Sequence, residues 1–563
     1  MVSARRFTAA LATCVAALMI PHPSPRTPHP VLGTALQAQG PKFFRDDPLQ
    51  REPETQDASK TADWDIPLTP DLLENMFTTP GEPVRTLRAQ NINTIDEVPD
   101  SSWFTNRIYT RAVSFDEIAK GPNTTEGPAP GRWTVIRPKG AGVSPGFTIR
   151  DSRGEMWFIS FDGRENPIAP TAAVMVATKL FWALGYNQIE THLTSIRPEL
   201  IEVAPNATVR AHGTRRPFTR ADLEDVLERA ARSADGSYRA VAGRAVPGRP
   251  IGGFRYHGTR PDDPNDIVPH EHRRELRALQ VFGAWTNLVD MKAGNTLDTV
   301  ITENGRSFVR HYLQDVGSTF GTGALYPRDG DEGYEKLVDG DAILKRLLSF
   351  GLLMQPWQTM RFEEHPEIGR FEGDAFEPET WTPRVPVAAL RHVRPDDALW
   401  AALRVRAFTD DQIRTAVKAG GFTDPAAEEL LASVLVKRRD KIGAVYYART
   451  NPLTRFTLSE SGELRFENPA VRADFSPAPA KGYEAVWSRF DNATHEAHQI
   501  GTSSARTEAM QAPADLARAP QTFIKVSIRA IDPPHAPWAV PVDVYFRRDA
   551  GAWTLVGVER LSH

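Results

Sequence analysis

The spacing of apolar and polar positions changes several times along this chain, and each change predicts an element. Residues from about 40 to 129 are polar and proline-punctuated, with ADWDIPLTPDLLENMF and SSWFTNRIYTRAVSFDEIAKG as amphipathic islands. That texture predicts an extension that wraps a folded body. From Arg132 the period drops to two. RWTVIRP, FTIRD and MWFISFD predict three strands, separated by the glycine-rich loop KGAGVSPG and the turn SRGE. APTAAVMVATKLFWALGY then carries apolar residues at helical spacing, with Gly185 as the expected C-cap. HEHRRELRALQVFGAWTNLVD predicts a further helix, and TLDTVITE and RSFVRHYLQD flank Asn304-Gly305, the strongest short hairpin signal. The chain next turns helical in DAILKRLLSFGLLM, DDALWAALRVRAF, TDDQIRTAVKAGGF and DPAAEELLASVLVKRRDKIGAVYYART, with Thr409 and Asp424 as expected N-caps. From about Asn451 short strands with turn signals suggest an appended β-sandwich-like domain.

Composition changes this picture little. At roughly 100–200 residues per domain, the chain should hold two to four. A formal charge of −4 over 563 residues gives no reason to expect nucleic acid as a partner. The N-terminus adds more. Arg5 and Arg6 precede an apolar run, Phe7 to Ile20, which matches a secretory signal and is too short for a good membrane span. Leu36-Gln37-Ala38 or its neighbours would be the cleavage site, so residues 1–38 are read as a signal peptide and the mature protein as having no transmembrane span. Cys14, the only cysteine, lies inside that run. The mature chain then has no disulfide, thiolate nucleophile or cysteine metal site, which fits an exported bacterial protein of the periplasm or cell surface.

One stretch carries candidate chemistry. LVDMKAGNT places Asp290, Lys292 and Asn295 at the spacing of a phosphoryl-transfer catalytic loop: an acid for the acceptor hydroxyl, a cation for the phosphate and an amide for magnesium. These are also turn-forming residues, so the surroundings decide. A helix runs into the loop, the Asn304-Gly305 hairpin follows, and the second strand ends in Asp315-Val316-Gly317, an Asp-x-Gly.

With three strands, a glycine-rich loop and a helix upstream, residues 130 to 450 resemble the protein-kinase-like superfamily, nearer in texture to its HipA-like and CotH-like branches. The resemblance implies an α+β, two-lobed protein-kinase-like fold: an extended segment 39–129, a small lobe 130–255, a helical large lobe 256–450 and the all-β domain 451–563. It also implies ATP or another purine nucleotide bound with Mg or Mn between the lobes. Asp290 and Lys292 would be catalytic, and Asn295 and Asp315 the metal ligands. The acceptor, a protein or another component of the cell envelope, is not named by the sequence.

The pattern also breaks. Ser160 stands where a third-strand lysine is expected, and the following helix contains no acid, with Val174 near the expected glutamate. Loss of one such charge contact costs on the order of 10²–10³ in rate. Lys139, at the entrance of a loop whose glycines Gly140, Gly142 and Gly146 allow close approach to phosphates, is the candidate replacement, ahead of Arg137, Arg150 and Lys179. An active transferase and an inactive binding module both remain open. Other signals are set aside. GVSPG lacks the strand-to-helix context of a hydrolase elbow, and Pro145 after its serine has no N–H. His270 and His272 are not at zinc spacing, and Arg273 and Arg274 are expected on a solvated face.

Overall fold

The computed structural model describes residues 40–560 apart from 141, 212–213, 351, 353, 515, 517–522 and 550. The signal-like run and Cys14 lie outside them. Among the described residues no helix is long and apolar enough to cross a membrane.

The protein is a mixed α/β structure with several sheets. The first sheet has six strands in the order β4-β8-β3-β2-β1-β5. They are β1 (Trp133–Pro138), β2 (Gly146–Arg150), β3 (Met156–Phe161), β4 (Thr191–Ile196), β5 (Ile201–Val203) and β8 (Tyr238–Arg244); β6 (Thr208–Ala211) and β7 (Thr214–Pro217) form a separate hairpin. All pairings in the sheet are antiparallel except that of β1 with β5. Period-two alternation sorts β3: Trp157, Ile159 and Phe161 pack in one cluster with Leu223 and Leu227 of the helix Arg220–Glu228. Met156, Phe158 and Ser160 take the opposite face, where Phe158 is 42% exposed. Helix α1 (Ala169–Leu184) has buried residues on every side and stops at Gly185, whose φ of 126° suits glycine.

Downstream, β10 (Thr296–Glu303) and β11 (Arg306–Leu313) form the hairpin, with Asn304 and Gly305 at φ 52° and 76° as a tight two-residue turn requires. A third, short strand, β9 (Arg249–Pro250), pairs with β10. The HEHRRELR stretch departs from expectation. In place of one helix it forms a 3₁₀ turn (His270–His272), a single helical turn (Arg274–Arg277) and then α2 (Leu279–Thr286), with Arg273 extended at the break. Nor are its arginines solvated: Arg273 and Arg274 are 1% and 0% exposed. Arg274 meets Asp96 at 2.9 Å, Asp397 at 2.9 Å and Asp396 at 3.3 Å, while Arg277 shares Asp397 at 3.0 Å. Charged side chains are buried when paired, and these partners come from the N-terminal extension and from α3 (Pro395–Arg406). Local periodicity therefore could not show them.

Helices α4 (Asp410–Lys418) and α5 (Pro425–Ala448) complete the helical part, capped by Thr409 in a capping box with Gln412 and by Asp424. The remaining strands are β12 (Thr454–Leu458), β13 (Glu463–Glu467), β14 (Tyr483–Phe490), β15 (Ala497–Ala505), β16 (Ala509–Gln511), β17 (Phe523–Ala530), β18 (Val542–Asp549) and β19 (Ala552–Arg560). They build two sheets, β12-β13-β16 and β15-β14-β17-β18-β19. Their buried residues, Phe466, Trp487, Val526 and Val544 among them, share one continuous cluster with Trp285 of α2 and Leu435 of α5.

The extension runs across all of these parts. Phe43 stacks among Phe490, Phe523 and Tyr545, Trp64 N–H donates to Ile251 O at 2.8 Å, and the helix Leu68–Phe77 rests on residues 293–295.

Candidate functional site

The Asp290 loop is built by backbone capture. Helix α2 ends at Asn287 in the left-handed conformation, and the chain then runs to a 3₁₀ turn at Ala293–Asn295. Asn295 holds the loop shut, donating from its side-chain amide to Asp290 O at 2.7 Å and from its backbone N–H to Lys292 O at 2.9 Å. Thr296 secures the exit, its hydroxyl donating to Ala293 O at 2.7 Å and accepting from Phe254 N–H at 2.8 Å. Lys292 pairs with Asp290 at 2.8 Å, both side chains being partly exposed.

The carbonyl of Asn295 also accepts the backbone N–H groups of Gln314 and Asp315, at 3.0 and 3.1 Å. That contact draws the Asp-x-Gly to the loop, so Asp290, Asn295 and Asp315 occupy one locality although β10 and β11 separate them in sequence. Asp315 Oδ1 accepts from Gly317 N–H at 3.1 Å. Val174 of α1 packs against Gly317, its Cγ2 2.7 Å from where a Cβ would stand. The helix thus presents a methyl group to this locality, not a carboxylate.

Lys139 closes the glycine-rich loop from the other side. Its N–H donates to Gly146 O at 3.3 Å, and its ammonium donates to Ser160 Oγ at 3.1 Å. The charge therefore sits over the β3 position that lacks a lysine of its own. Desolvation lowers the Lys139 pKa, and the Asp315 carboxylate acts against that shift. Gly146 admits no side chain, because a Cβ would come within 2.2 Å of Ile159 O. Gly142 has φ 85° and lies beneath the Lys139 side chain, whereas a Cβ at Gly140 would meet open space. The other cations point elsewhere. Lys179 is buried and donates to Lys120 O at 2.8 Å, Arg137 lies over the Phe158 ring, and Arg150 donates to Gly154 O at 2.9 Å.

Two neighbours escaped the sequence reading. Helix Leu68–Phe77 places Leu68 against Gly294 and buries Asp71, whose carboxyl pKa burial raises against the pull of Arg255. The Tyr256 hydroxyl is buried with no hydrogen-bond partner among the described residues, and burial first, then the Asp290 and Asp71 carboxylates, raise its pKa. The amphipathic island holding Asp71 was visible, but nothing in it indicated the loop as its seat. His270 pairs with Asp266 at 2.8 Å, and His272 Nδ1 faces Arg277 at 2.8 Å.

The donor set suits a hard divalent cation. Asn295 commits its amide nitrogen to Asp290 O, which leaves its amide oxygen as the atom that could face a cation. With the carboxylates of Asp290 and Asp315 this offers oxygen ligands of the type Mg and Mn prefer. Among the described residues no group of three or more His, Cys, Asp or Glu is placed to hold a metal; the set here is two carboxylates and an amide.

Compared by sequence, the chain matches no family model and no curated protein. Compared by shape, it is similar to the Golgi casein kinase, with 11% identity and a TM-score of 0.28 over 72% of this chain and 97% of that one. A structure of the Golgi casein kinase with Mn and ADP bound gives 10% identity and a TM-score of 0.28 over the same shares. The Helicobacter pylori proinflammatory kinase CtkA gives 14% identity and a TM-score of 0.27 over 55% of this chain and 93% of that one. Overlap at this level assigns neither fold nor activity to the present chain.

Proposed function

We propose that this protein has a two-lobed kinase-like core that binds a purine nucleotide with Mg or Mn and transfers a phosphoryl or nucleotidyl group to an acceptor outside the cytoplasm. The observation that carries the reading is the Lys139 ammonium on Ser160 Oγ, 3.1 Å away, with Asp315 as the carboxylate acting on it. A cation placed there holds phosphate oxygens, and Gly142 and Gly146 keep the loop backbone free to approach them. Asn295 and Asp315 would hold the metal, which when bound supplies positive charge to the phosphates. Asp290 gives up its Lys292 contact to receive the proton of an acceptor hydroxyl. In phosphoryl transfer that oxygen bonds to the terminal phosphorus as the bridging P–O bond breaks and its electron pair leaves on the diphosphate.

The test is nucleotide binding followed by thermal shift and titration calorimetry. ATP with Mg should stabilise the parent, Asp315→Ala should remove the metal dependence, and Lys139→Ala should weaken binding roughly tenfold or more. Lys179→Ala should leave affinity within twofold. Unchanged binding by Asp315→Ala would refute the metal assignment.

A second reading, a catalytically silent binding module, draws on Val174 standing against Gly317. ATP turnover by the parent protein that Asp290→Asn abolishes would exclude it.

A further inference from the structure

A groove of about 690 Å³ opens where the C-terminal end of helix Leu68–Phe77 meets the segments around Lys336 and Arg391. The same helix touches Gly294 of the Asp290 loop with its first residue, so one short element borders both the loop and the groove. Gln280 of α2 lines it as well.

Its charge is unbalanced. Arg85, Lys336 and Arg391 face the groove against one acid, Glu379, which is itself paired with Arg449. Arg391 is fixed by carbonyls, donating to Asn75 O and Thr78 O at 2.7 Å each, and among the described residues it has no carboxylate within ion-pair distance. Burial and the neighbouring Arg85 both lower its pKa, as two guanidinium groups without a shared counter-ion must. Among the described residues Arg85 hydrogen-bonds Thr79 Oγ1 alone, at 3.5 Å, and Lys336 has no ion-pair partner. Arg216, by contrast, is half-exposed and still pairs with Asp222, at 2.6 Å. Cations left together in a concave site are the complement of an anionic ligand.

Beside them lies apolar surface. Phe77, 61% exposed, lines the groove with Met76 and Val338, and Leu337, next to Lys336 in the chain, is 48% exposed. Exposed apolar side chains in this number mark an interaction site.

We infer that the groove binds an acidic polypeptide segment, its carboxylates on Arg85, Lys336 and Arg391 and its apolar side chains on Met76, Phe77 and Val338. The adjoining apolar face selects a polypeptide over a sulfated polysaccharide, which would use the cations alone. This names the acceptor side of the proposed transfer and rests on that reading for its role, though not for binding itself.

The experiment is fluorescence anisotropy on the full-length protein without nucleotide, using a short fluorescein-labelled peptide of Glu and Leu. The expected result is binding that weakens with salt and that falls roughly tenfold for the Gln-for-Glu peptide and for each of Arg85→Glu and Lys336→Glu. Phe77→Ser should weaken it too. Asp290→Asn should bind as the parent does, so loss of the transfer reading would not imitate loss of this one. Equal affinity for the Glu and Gln peptides, indifference to both charge reversals, or tighter binding of a heparin fragment than of the peptide would each overturn the inference.

Discussion

Replacing Asp397 by asparagine removes one negative charge from a site sealed against water. Asp397 bridges Arg274 Nε at 2.9 Å and Arg277 Nη1 at 3.0 Å, and all three side chains are 0% exposed. At 3.0 Å and an effective dielectric constant of about 20, one such pair is worth about 5.5 kcal/mol of Coulomb attraction. Dehydrating the ions consumes much of that, yet breaking a buried pair by removing one partner still costs about 3–5 kcal/mol, because the other charge stays buried. Arg274 keeps Asp96 and Asp396. Among the described residues Arg277 keeps Glu271 O, Leu87 O and the His272 ring. Burial already lowers its pKa, and Asp397 is the largest opposing influence. The loss should therefore fall mainly on Arg277. Urea unfolding followed by tryptophan fluorescence should show Asp397→Asn destabilised by about 3–5 kcal/mol. Adding Arg277→Met should restore part of it, the double variant falling short of the sum by about 1–3 kcal/mol. Limited proteolysis should cut sooner near Leu87, which accepts from Arg277. An Asp397→Asn protein within about 1 kcal/mol of the parent, or a double variant at the simple sum, would refute the argument.

Gly146→Ala should destabilise the six-stranded sheet by about 1–3 kcal/mol and lower nucleotide affinity with it, since a Cβ would stand 2.2 Å from Ile159 O; differential scanning fluorimetry with and without ATP would show both. Lys179 provides a pH test. Burial lowers its pKa to about 8, against about 10.4 in the unfolded chain. Between these values the unfolded state binds more protons, so this residue makes stability rise with pH across that window. Lys179→Met should flatten the rise in urea midpoint between about pH 8 and 10, and an unchanged slope would show that the ammonium is not the cause.

How far the sequence disclosed this molecule depended on whether the deciding interactions were local. The Asn304-Gly305 turn, the cap at Gly185 and the strand carrying Trp157, Ile159 and Phe161 all follow from neighbours a few residues apart, and all were legible. β15 was not: it lies at a sheet edge with most side chains half or fully exposed, so no alternation marks it. β8 was hidden for a related reason, since Ala240, Ala242 and Gly243 supply little apolar contrast. At the candidate site the order Asp290, Asn295, Asp315 could be read along the chain, because the hairpin between the last two returns the strand to its start. The seating of Leu68 on Gly294 and the burial of Arg274 could not. Both depend on partners more than a hundred residues away, and only the fold brings them together.

The extension also sets an order of assembly. Phe43 packs on Phe523 and Tyr545, Val558 N–H donates to Thr94 O at 2.8 Å, and Arg560 meets Asp96 at 3.3 Å. An early segment therefore waits for the last strand to be made. At about 5–20 residues per second that delay is on the order of a minute. Its polar, proline-rich composition suits the interval, because a chain with little apolar surface can remain unfolded without clinging to its neighbours. Until β19 exists, Asp96 lacks Arg560 and Thr94 lacks Val558, although the helix that rests on Gly294 is already held by Ile251 before it and by Arg391 at its end. The contacts at Thr94 and Asp96 are then made last, and a ribosome that stopped before residue 552 would release a chain with every candidate site residue present and its strap loose at that point.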